Sequence, residues 1–366
     1  MIGIDKKEVT AEASDVLQLF DAHQAKSRKV SLSNVKDRKA KLRSLERSIL
    51  KHRDAICEGM HRDFNKPATE VDLTEIYPVL LEIRHAISNL SHWMKDENVP
   101  TPLSLFGAKS KIRFEPKGTS LIIAPWNYPF QLLLAPLVSA IAAGCTSVLK
   151  PSESAANTTI AIKKIIQDCF NEDEVSIVEG GVEVSTKLLK LKFDHIFFTG
   201  SSQVGKIVMS AAAKNLTSVT LELGGKSPTI IDETADLNAT VSRIVWAKFI
   251  NAGQTCIAPD YILIHEAQKE EFVKKMVEQL EKNYGKNTAE TKDMASIINQ
   301  KQFDRLNTML KQAIELGAKV VFKGVSNGSE KGIAPTLIEG VSLDSQLMQE
   351  EIFGPVLPII IYEDKR

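Results

Sequence analysis

Residues 119–150 read TSLIIAPWNYPFQLLLAPLVSAIAAGCTSVLK, and this stretch decides the fold class. It opens with a short β-rich run, TSLIIAP, and closes with a second one, TSVLK. Between the two runs, the residues from Leu132 to Ala143 form an apolar segment of helical length. A strand, a helix and a strand in succession predict a parallel pair of strands joined by a crossover helix.

The same alternation continues along the chain. Further helical patterns and β-rich runs follow as residues 158–170, VSIVEG, residues 182–192 and HIFFTG, and then as VTLELGG, PTIIDE, residues 237–249, YILIHE and a helix from Ala267. This predicts an α/β protein with mostly parallel sheets and helices on both faces. We place the boundary between two domains near Glu222, with residues 1–98 and 119–222 in the first and residues 223–366 in the second.

Two segments ahead of this series have patterns of their own. From Val35 to Phe64, apolar residues recur at spacings of three, four and seven between Lys and Arg, which predicts one amphipathic helix. Residues 99–118, VPTPLSLFGAKSKIRFEPKG, contain three prolines and then an alternating strand pattern. This segment is predicted to form a hairpin that leaves the main body.

Composition excludes several classes of function. The 366 residues include 46 Lys and Arg against 46 Asp and Glu, so the formal net charge is zero. With no surplus of positive charge, the chain lacks the electrostatic signature of a protein that binds nucleic acid or an anionic membrane. Hydrophobic residues at 43% and charged residues at 25% are typical of a globular protein with a buried core.

The cysteines and the apolar runs favour the cytoplasm. Cys57, Cys145, Cys169 and Cys256 are too few for a disulfide framework, and none belongs to a CxxC pair. The seven histidines show no HExxH or other ligand spacing, which predicts no metal site. The first residues, MIGIDKKEVTAEASD, lack the apolar stretch of a signal peptide, and no apolar run reaches the roughly 20 residues of a membrane span.

Candidate binding residues follow the predicted strands. In open α/β sheets, ligands bind beyond the carboxyl ends of the strands. Trp126 and Asn127 follow the first strand of the series, Lys150 and Glu153 come at the end of the second, and residues 200–205 follow HIFFTG.

The segment HIFFTGSSQVGKI allows three interpretations. It matches the phosphate-binding pattern GxxxxGK, but Ile207 stands where that pattern requires a magnesium-binding hydroxyl. It is not GxGxxG either, because Gly200 and Gly205 are five positions apart. A turn that lets a strand and a helix pack closely explains it equally well. A helix that begins here would still suit a phosphate or a ribose.

Cys256 is the candidate nucleophile. A lone cysteine is by default a small buried hydrophobic residue. In NAGQTCIAPDY, however, the preceding Gly253, Gln254 and Thr255 are typical of an exposed turn, where a thiolate could attack a substrate. The other three cysteines lie in helical or strand patterns and are interpreted as packing residues.

Glu222 is the candidate base. It lies between Leu221 and Leu223 at the end of an apolar strand. The carboxylate is either an exposed charge at a strand end or a partly desolvated acid with a raised pKa. The second state is the one that a general base near neutral pH requires.

Six motifs in fixed order, APWNYPF, VLKPSE, FFTGSSQVGK, LELGGKSP, NAGQTCIAPDY and QEEIFGPV, resemble those of the NAD(P)-dependent aldehyde dehydrogenases. The ending APDY is similar to that of the class 3 and fatty-aldehyde subgroup. The resemblance extends from the helix at Val35 to Val356. It implies a Rossmann-type cofactor domain in residues 1–98 and 119–222, a catalytic domain in residues 223–366, and an oligomerisation arm formed by the hairpin at 99–118.

The resemblance implies a covalent mechanism for oxidising an apolar aliphatic or aromatic aldehyde to its acid. Cys256 matches the nucleophile that forms a thiohemiacetal and then a thioester. Asn127 matches the donor to the oxyanion. Glu222 matches the residue that activates water to hydrolyse the thioester, and a glutamate at this position favours a free acid over transfer to coenzyme A.

The resemblance also implies NAD as the cofactor, with NADP second, because Glu153 would repel a 2′-phosphate. The positions that match cofactor-binding residues are Trp126, Lys150, Glu153, Gly200, Ser201, Val204, Gly205, Glu351 and Phe353.

Members of the family continue well beyond the position of Arg366, so the chain is expected to be truncated at its C-terminus, with the substrate tunnel incomplete. A homodimer is expected for the full-length form, and a membrane-anchoring tail stays possible beyond Arg366. The alternative is a truncated, non-catalytic form that binds a dinucleotide or pairs with a partner.

Overall fold

The computed structural model describes residues 13–285, 293–325 and 330–363. Two compact units are present: residues up to Gly59 with Asp72–Glu222, and Met60–Val71 with the residues from Leu223 onward. The division at Glu222 lies at the predicted boundary. The two units differ from the predicted domains at Met60–Val71, which was predicted to lie in the first domain and belongs to the second unit.

The α-helices account for most of the regular structure of the described residues. They are α1 (Ala13–Val30), α2 (Val35–Lys51), α3 (Arg53–Phe64), α4 (Ala68–Val71), α5 (Tyr77–Trp93), α6 (Gln131–Ala143), α7 (Ala156–Cys169), α8 (Val182–Leu188), α9 (Ser202–Ala213), α10 (Leu237–Phe249), α11 (Glu266–Tyr284), α12 (Gln300–Glu315) and α13 (Gln346–Gln349). Among these described residues, no helix is both long enough and apolar enough to cross a membrane.

The strands of the described residues form three sheets. They are β1 (Glu97–Val99), β2 (Ser110–Ile112), β3 (Thr119–Ile123), β4 (Thr146–Lys150), β5 (Val175–Ile177), β6 (His195–Gly200), β7 (Ser218–Leu223), β8 (Pro228–Ile231), β9 (Tyr261–His265), β10 (Lys319–Lys323), β11 (Thr336–Glu339) and β12 (Val356–Tyr362).

The first unit is built on a five-stranded sheet in the order β5-β4-β3-β6-β7. Strand β3 pairs in parallel with both β4 and β6, and β4 pairs in parallel with β5. All five residues of β3 and all five of β4 are buried, as expected for parallel strands covered by helices on both faces. The predicted βαβ unit at 119–150 is confirmed.

The turn after α6 explains a glycine in this unit. Gly144 has a φ of 84° and ends the helix in the left-handed conformation, which glycine adopts without steric cost. A side chain there would collide with the Arg38 guanidinium, which donates to the carbonyl of Ala142 at 2.9 Å. Arg38 thereby ties α2 to the end of α6.

The predicted single helix from Val35 to Phe64 is wrong, because the chain forms two helices separated at His52. The backbone N–H of His52 donates to the carbonyls of Ser48 and Ile49 and closes the last turn of α2. The His52 ring and the Lys51 ammonium both contact the carboxylate of Asp168, and these contacts lower its pKa. The apolar spacing shows which face is buried but does not reveal such a break.

The second unit contains a five-stranded sheet in the order β10-β11-β12-β9-β8. The four strands β11, β12, β9 and β8 are parallel, whereas β10 pairs antiparallel with β11 at the edge. The carboxyl end of β12 is exposed in part, while its first four residues are buried.

The segment between α5 and β3 forms a two-stranded antiparallel hairpin in which Glu97 pairs with Ile112. Asp96 accepts hydrogen bonds from Lys111 and from the Arg113 guanidinium, at 3.0 Å for the latter, which fixes the base of the hairpin. Its tip is apolar and solvent-exposed, with Phe106 94% accessible.

A buried histidine makes the stability of the first unit sensitive to acid. The His23 ring on α1 is fully buried, and its Nε2 lies 2.8 Å from the Ser176 hydroxyl. Burial lowers the pKa of His23 from 6.5 to about 4, although the charge of Asp173 opposes this. The unfolded chain therefore binds a proton more readily than the folded one, so the stabilising contribution is complete above pH 6.5 and is lost as the pH falls through 4.

We expect the free energy of unfolding of the wild-type chain to fall by about 2–3 kcal/mol more than that of His23→Gln between pH 7.5 and pH 4.5. Denaturant titrations at the two pH values measure this difference. His61→Gln, which removes an exposed histidine, serves as the control and should keep the wild-type pH dependence. An equal loss of stability in wild type and His23→Gln would show that His23 is not responsible.

Candidate active site

In the first unit, the carboxyl ends of β3, β4 and β6 lie side by side at one edge of the sheet, because these neighbouring strands are parallel. The sheet order therefore brings together three groups that sequence alone could only list: Trp126 and Asn127 after β3, Lys150 and Glu153 at the end of β4, and residues 200–205 after β6. This is the edge at which open α/β sheets bind ligands.

Asn127 lies in the buried loop between β3 and α6, where its side chain is 2% exposed. The loop is anchored at its start by a hydrogen bond from the Ala124 N–H to the Lys150 carbonyl, at 3.1 Å. At its end, the fully buried Glu75 carboxylate accepts from the N–H groups of Phe130 and Gln131, at 3.2 and 2.9 Å. A carboxylate on the first free N–H groups stabilises a helix start, so Glu75 fixes the backbone that carries Asn127.

Lys150 and Glu153 form an ion pair in which the ammonium is buried and the carboxylate is exposed. The Lys150 ammonium is buried and donates to the Pro151 carbonyl at 3.0 Å and to the Glu153 carboxylate at 3.2 Å. The Glu153 side chain is 54% exposed. The Lys150 ammonium is fixed by these two hydrogen bonds, whereas the Glu153 carboxylate is accessible to a hydroxyl group of a ligand.

The Gly200 segment is a strand end followed directly by a helix start. The Ser201 side chain caps α9 by accepting from the Val204 N–H at 3.4 Å, and the Gly205 N–H donates to the Ser201 carbonyl at 2.9 Å. A Cβ on Gly200 would lie 2.6 Å from the far end of the Phe198 ring, so the glycine lets the backbone pack closely on that ring. Ile207 is exposed on α9 and offers no oxygen for magnesium, which removes the nucleotide-hydrolase interpretation.

Glu222 lies near the end of β7, and its side chain is exposed. Of the two states considered from the sequence, the structure has the exposed strand-end carboxylate, so the support for Glu222 as the base is its access to water and not burial of the carboxylate. A water molecule can therefore reach this group without any rearrangement of the first unit.

In the second unit, the backbone ahead of Cys256 is left-handed at three consecutive residues. Asn251, Ala252 and Gly253 have φ values of 54°, 53° and 73°. For residues other than glycine this conformation costs roughly 1–2 kcal/mol each, and it persists only where the surroundings impose it. Gly253 is required here because a side chain would collide with the backbone of Gly354.

The Gln254 side chain stabilises this loop through buried hydrogen bonds. It is fully buried, and its amide nitrogen donates to the carbonyls of Asn251 and Ser296 at 3.0 and 3.1 Å. Its amide oxygen accepts from the Ile298 N–H at 3.0 Å. Gln254 therefore fixes the chain two residues before Cys256, a role that its position in the motif alone does not reveal.

The four cysteines differ in exposure. Cys57 and Cys145 are buried, whereas Cys169 and Cys256 are half-buried. Burial raises the pKa of the Cys57 and Cys169 thiols, which makes them poorer nucleophiles. Of the two half-buried thiols, that of Cys169 lies at the end of α7, whereas that of Cys256 lies in a loop.

Glu351 and Phe353 lie on the segment before β12. The Glu351 carboxylate accepts from the Gly225 N–H at 3.4 Å and packs so closely on Gly224 that a side chain there would collide with it. Burial raises the pKa of Glu351. Phe353 has a φ of 52°, so it shares the left-handed conformation of Asn251 and Ala252 in the same unit.

A buried ionic network joins three of the sequence motifs within the second unit. The Asp260 carboxylate, four residues after Cys256, pairs with Lys226 and accepts from the Ile352 N–H at 2.8 Å. Lys226 also donates to the Leu347 and Glu350 carbonyls, at 2.6 and 2.8 Å. This network holds the Glu351 segment against the end of the Cys256 loop.

Two further cations complete this network. The Arg305 guanidinium donates to the carbonyls of Glu351 and Ile352, at 3.2 and 2.7 Å. Lys248 is 1% exposed, and burial lowers its pKa to about 8, with Asp260 and Lys226 acting on it in opposite directions. Sequence reasoning did not find these residues, although Lys226 and Asp260 stand inside two of the quoted motifs.

The aldehyde dehydrogenase family model matches residues 7–366, and the chain belongs to this family. It is 47% identical over 326 residues to 4,4'-diaponeurosporen-aldehyde dehydrogenase of Staphylococcus aureus, covering 89% of this chain and 70% of the relative. It is 43% identical over 323 residues to aldehyde dehydrogenase family 3 member B2 of the mouse, covering 88% of this chain and 66% of the relative. These relatives are consistent with the class 3 subgroup.

The fold matches solved structures of the family. The substrate-bound state of Staphylococcus aureus AldH superposes with a TM-score of 0.91 at 44% identity, covering 95% of this chain and 76% of the other. An NAD+ complex of aldehyde dehydrogenase from Bacillus cereus superposes with a TM-score of 0.87 at 27% identity, covering 96% and 72%. The predicted fold, an α/β protein of the aldehyde dehydrogenase type, is confirmed.

Proposed function

We propose that this chain oxidises an apolar aldehyde to the free carboxylic acid with NAD or NADP, through a covalent bond to Cys256. The observation that carries the proposal is the Cys256 loop, in which a half-buried thiol follows a left-handed turn held by a buried glutamine. Such a loop fixes a nucleophile while leaving it accessible.

The proposed chemistry begins with attack of the Cys256 thiolate on the aldehyde carbon, which converts the carbonyl oxygen into an alkoxide. The Asn127 amide donates a hydrogen bond to that oxygen, and a donor of this kind contributes about 3 kcal/mol to the transition state. Loss of hydride from the thiohemiacetal leaves a thioester on Cys256. Glu222 then removes a proton from water, which attacks the thioester and releases the acid and the thiol.

The residues at the edge of the first sheet fit a dinucleotide. The N-terminus of α9 and the close-packed Gly200 suit a pyrophosphate, and the exposed Glu153 carboxylate suits a ribose hydroxyl. In the second unit, Glu351 and Phe353 are proposed to hold the nicotinamide ribose and ring. When bound, the nicotinamide supplies the acceptor for hydride. We rank NAD ahead of NADP because Glu153 repels a 2′-phosphate.

Aldehyde-dependent formation of NADH tests the proposal. With a medium-chain aldehyde and NAD, we expect absorbance from NADH in step with release of the free acid, and a smaller kcat/KM with NADP. In ¹⁸O-labelled water the acid should contain at least one labelled oxygen, and coenzyme A should not accelerate turnover. A chain that binds NAD but forms no NADH with aliphatic or aromatic aldehydes would instead be a non-catalytic dinucleotide-binding protein.

We further propose that the chain forms a homodimer through the hairpin of β1 and β2. Its tip exposes Leu103 and Phe106, each more than nine-tenths accessible, and large exposed apolar side chains in one segment are typical of an interface. Beside the hairpin, Trp93 and Phe114 line a cavity of about 520 Å³. Measuring the molar mass in solution during the activity assay tests this assembly.

A further inference from the structure

Glu70 is a partly buried acid that contacts the start of the Cys256 loop. It lies on α4, in the part of the chain that belongs to the second unit. One of its carboxylate oxygens accepts a hydrogen bond from the backbone N–H of Asn251 at 2.9 Å. Asn251 is fully buried and is the first of the three left-handed residues that precede Cys256.

This contact bears on the geometry of the thiol because the loop is short. Cys256 is only five positions after Asn251, and Gln254 fixes the stretch between them. A left-handed backbone at Asn251 and Ala252 is retained only where neighbouring groups stabilise it. Glu70 holds the beginning of the turn, and Gln254 holds the backbone directly after it.

We propose that Glu70 is a positioning residue for Cys256: its carboxylate fixes the left-handed turn that presents the thiol to the aldehyde. This inference rests on the proposed function, in which Cys256 is the nucleophile. Glu70 does not touch the reacting atoms, and acts through the backbone of Asn251.

The groups that face Glu70 make its hold on the turn dependent on pH. They are the buried Lys66, the carboxylate of Asp293 and the buried Tyr284. Burial raises the pKa of Glu70 to about 7; Asp293 acts in the same direction, and Lys66 and the Asn251 N–H oppose it. Glu70 is therefore ionised above neutral pH, and the charged form makes the stronger hydrogen bond.

Three variants separate positioning from stability. Glu70→Gln keeps an oxygen acceptor that cannot ionise, and Glu70→Ala removes the acceptor. Glu339→Gln is the control, since Glu339 pairs with Lys269 in the same unit at 3.0 Å, on β11. For each we would measure kcat, the KM for NAD, the melting temperature, and the rate at which iodoacetamide alkylates Cys256, located by mass spectrometry.

At pH 8.5 we expect Glu70→Gln to be about fivefold slower than wild type in kcat and in alkylation of Cys256. At pH 6 the two proteins should have similar rates, because wild-type Glu70 is then protonated and also a neutral acceptor. At each pH, dividing the wild-type rate by the Glu70→Gln rate cancels the effect of every other titrating group, because both proteins contain those groups. Glu70→Ala should be slower than wild type at both pH values, and the KM for NAD should change less than twofold.

Rates of Glu70→Gln equal to those of wild type at pH 8.5, both in kcat and in alkylation of Cys256, would overturn the proposal. So would losses in Glu70→Gln that equal those of Glu339→Gln at the same change in melting temperature. Alkylation of Cys256 requires no dehydrogenase activity, so this measurement remains decisive if the wild-type chain forms no NADH, a result that would contradict the proposed function alone. Glu70→Gln is isosteric and provides the test if Glu70→Ala fails to fold.

Discussion

Cys256→Ala is expected to lose aldehyde-dependent NADH formation by at least about 10⁴-fold while it still binds NAD. Alanine offers no nucleophile, so neither the thiohemiacetal nor the thioester can form, and hydride transfer from a free aldehyde or its hydrate has no covalent route. The edge of the first unit that is proposed to bind the dinucleotide is untouched by this change. Steady-state absorbance measures the loss, and calorimetric titration with NAD measures the retained binding.

The matched control is Cys169→Ala, which removes the other half-buried thiol, at the end of α7. It should keep wild-type kcat and KM, with at most a modest decrease in stability. Turnover in Cys256→Ala within tenfold of wild type would show that Cys256 is not the nucleophile. Loss of NAD binding in the same variant would mean that the substitution disturbs more than the thiol.

Glu222→Gln is expected to uncouple the two halves of the reaction. Because the amide cannot remove a proton from water, the thioester should form at nearly the wild-type rate and then hydrolyse about 10²–10³-fold more slowly. Rapid mixing with aldehyde and NAD should show a burst of NADH close to one equivalent per chain, followed by a slow steady state. Glu222 is exposed, and exposed substitutions change stability little, so Glu222→Gln should unfold at the same temperature as wild type.

Glu179→Gln provides the comparison for Glu222→Gln. Glu179 is an exposed carboxylate shortly after β5 in the same unit, where it pairs with Lys163. Its substitution should leave both the burst and the steady state unchanged. An unchanged steady-state rate in Glu222→Gln would remove Glu222 as the base and direct attention to other carboxylates, such as Glu351.

The sequence was sufficient to predict those helices and strands whose formation depends on the pattern of neighbouring residues. The βαβ unit at 119–150 follows from two buried strands around an apolar helix, and Leu237–Phe249 is helical over the predicted range. The break at His52 was missed because apolar spacing continues through it on both sides. The end of α2 is stabilised by contacts of Lys51 and His52 with Asp168, which lies more than a hundred residues away in the sequence. Such contacts leave no signal in the local sequence pattern.

The residues that support the candidate site were harder to recognise from the sequence. Glu70 and Glu75 stand among charged and polar residues of helical segments, where a carboxylate is usually solvated. Only the tertiary structure brings Glu75 to the start of α6 and Glu70 to Asn251. The left-handed φ of Ala252 was equally hidden, because the conformation is imposed by contacts and not by alanine itself.

The measurement that tests the covalent route most directly is the mass of Glu222→Gln, quenched in acid after incubation with a medium-chain aldehyde and NAD. We predict a single adduct equal to the aldehyde less two hydrogens, located by peptide mapping on Cys256 and released by hydroxylamine. Its amount should match the NADH of the burst. NADH formed in a full equivalent with Cys256 unmodified, or an adduct located on another residue, would contradict the proposed mechanism.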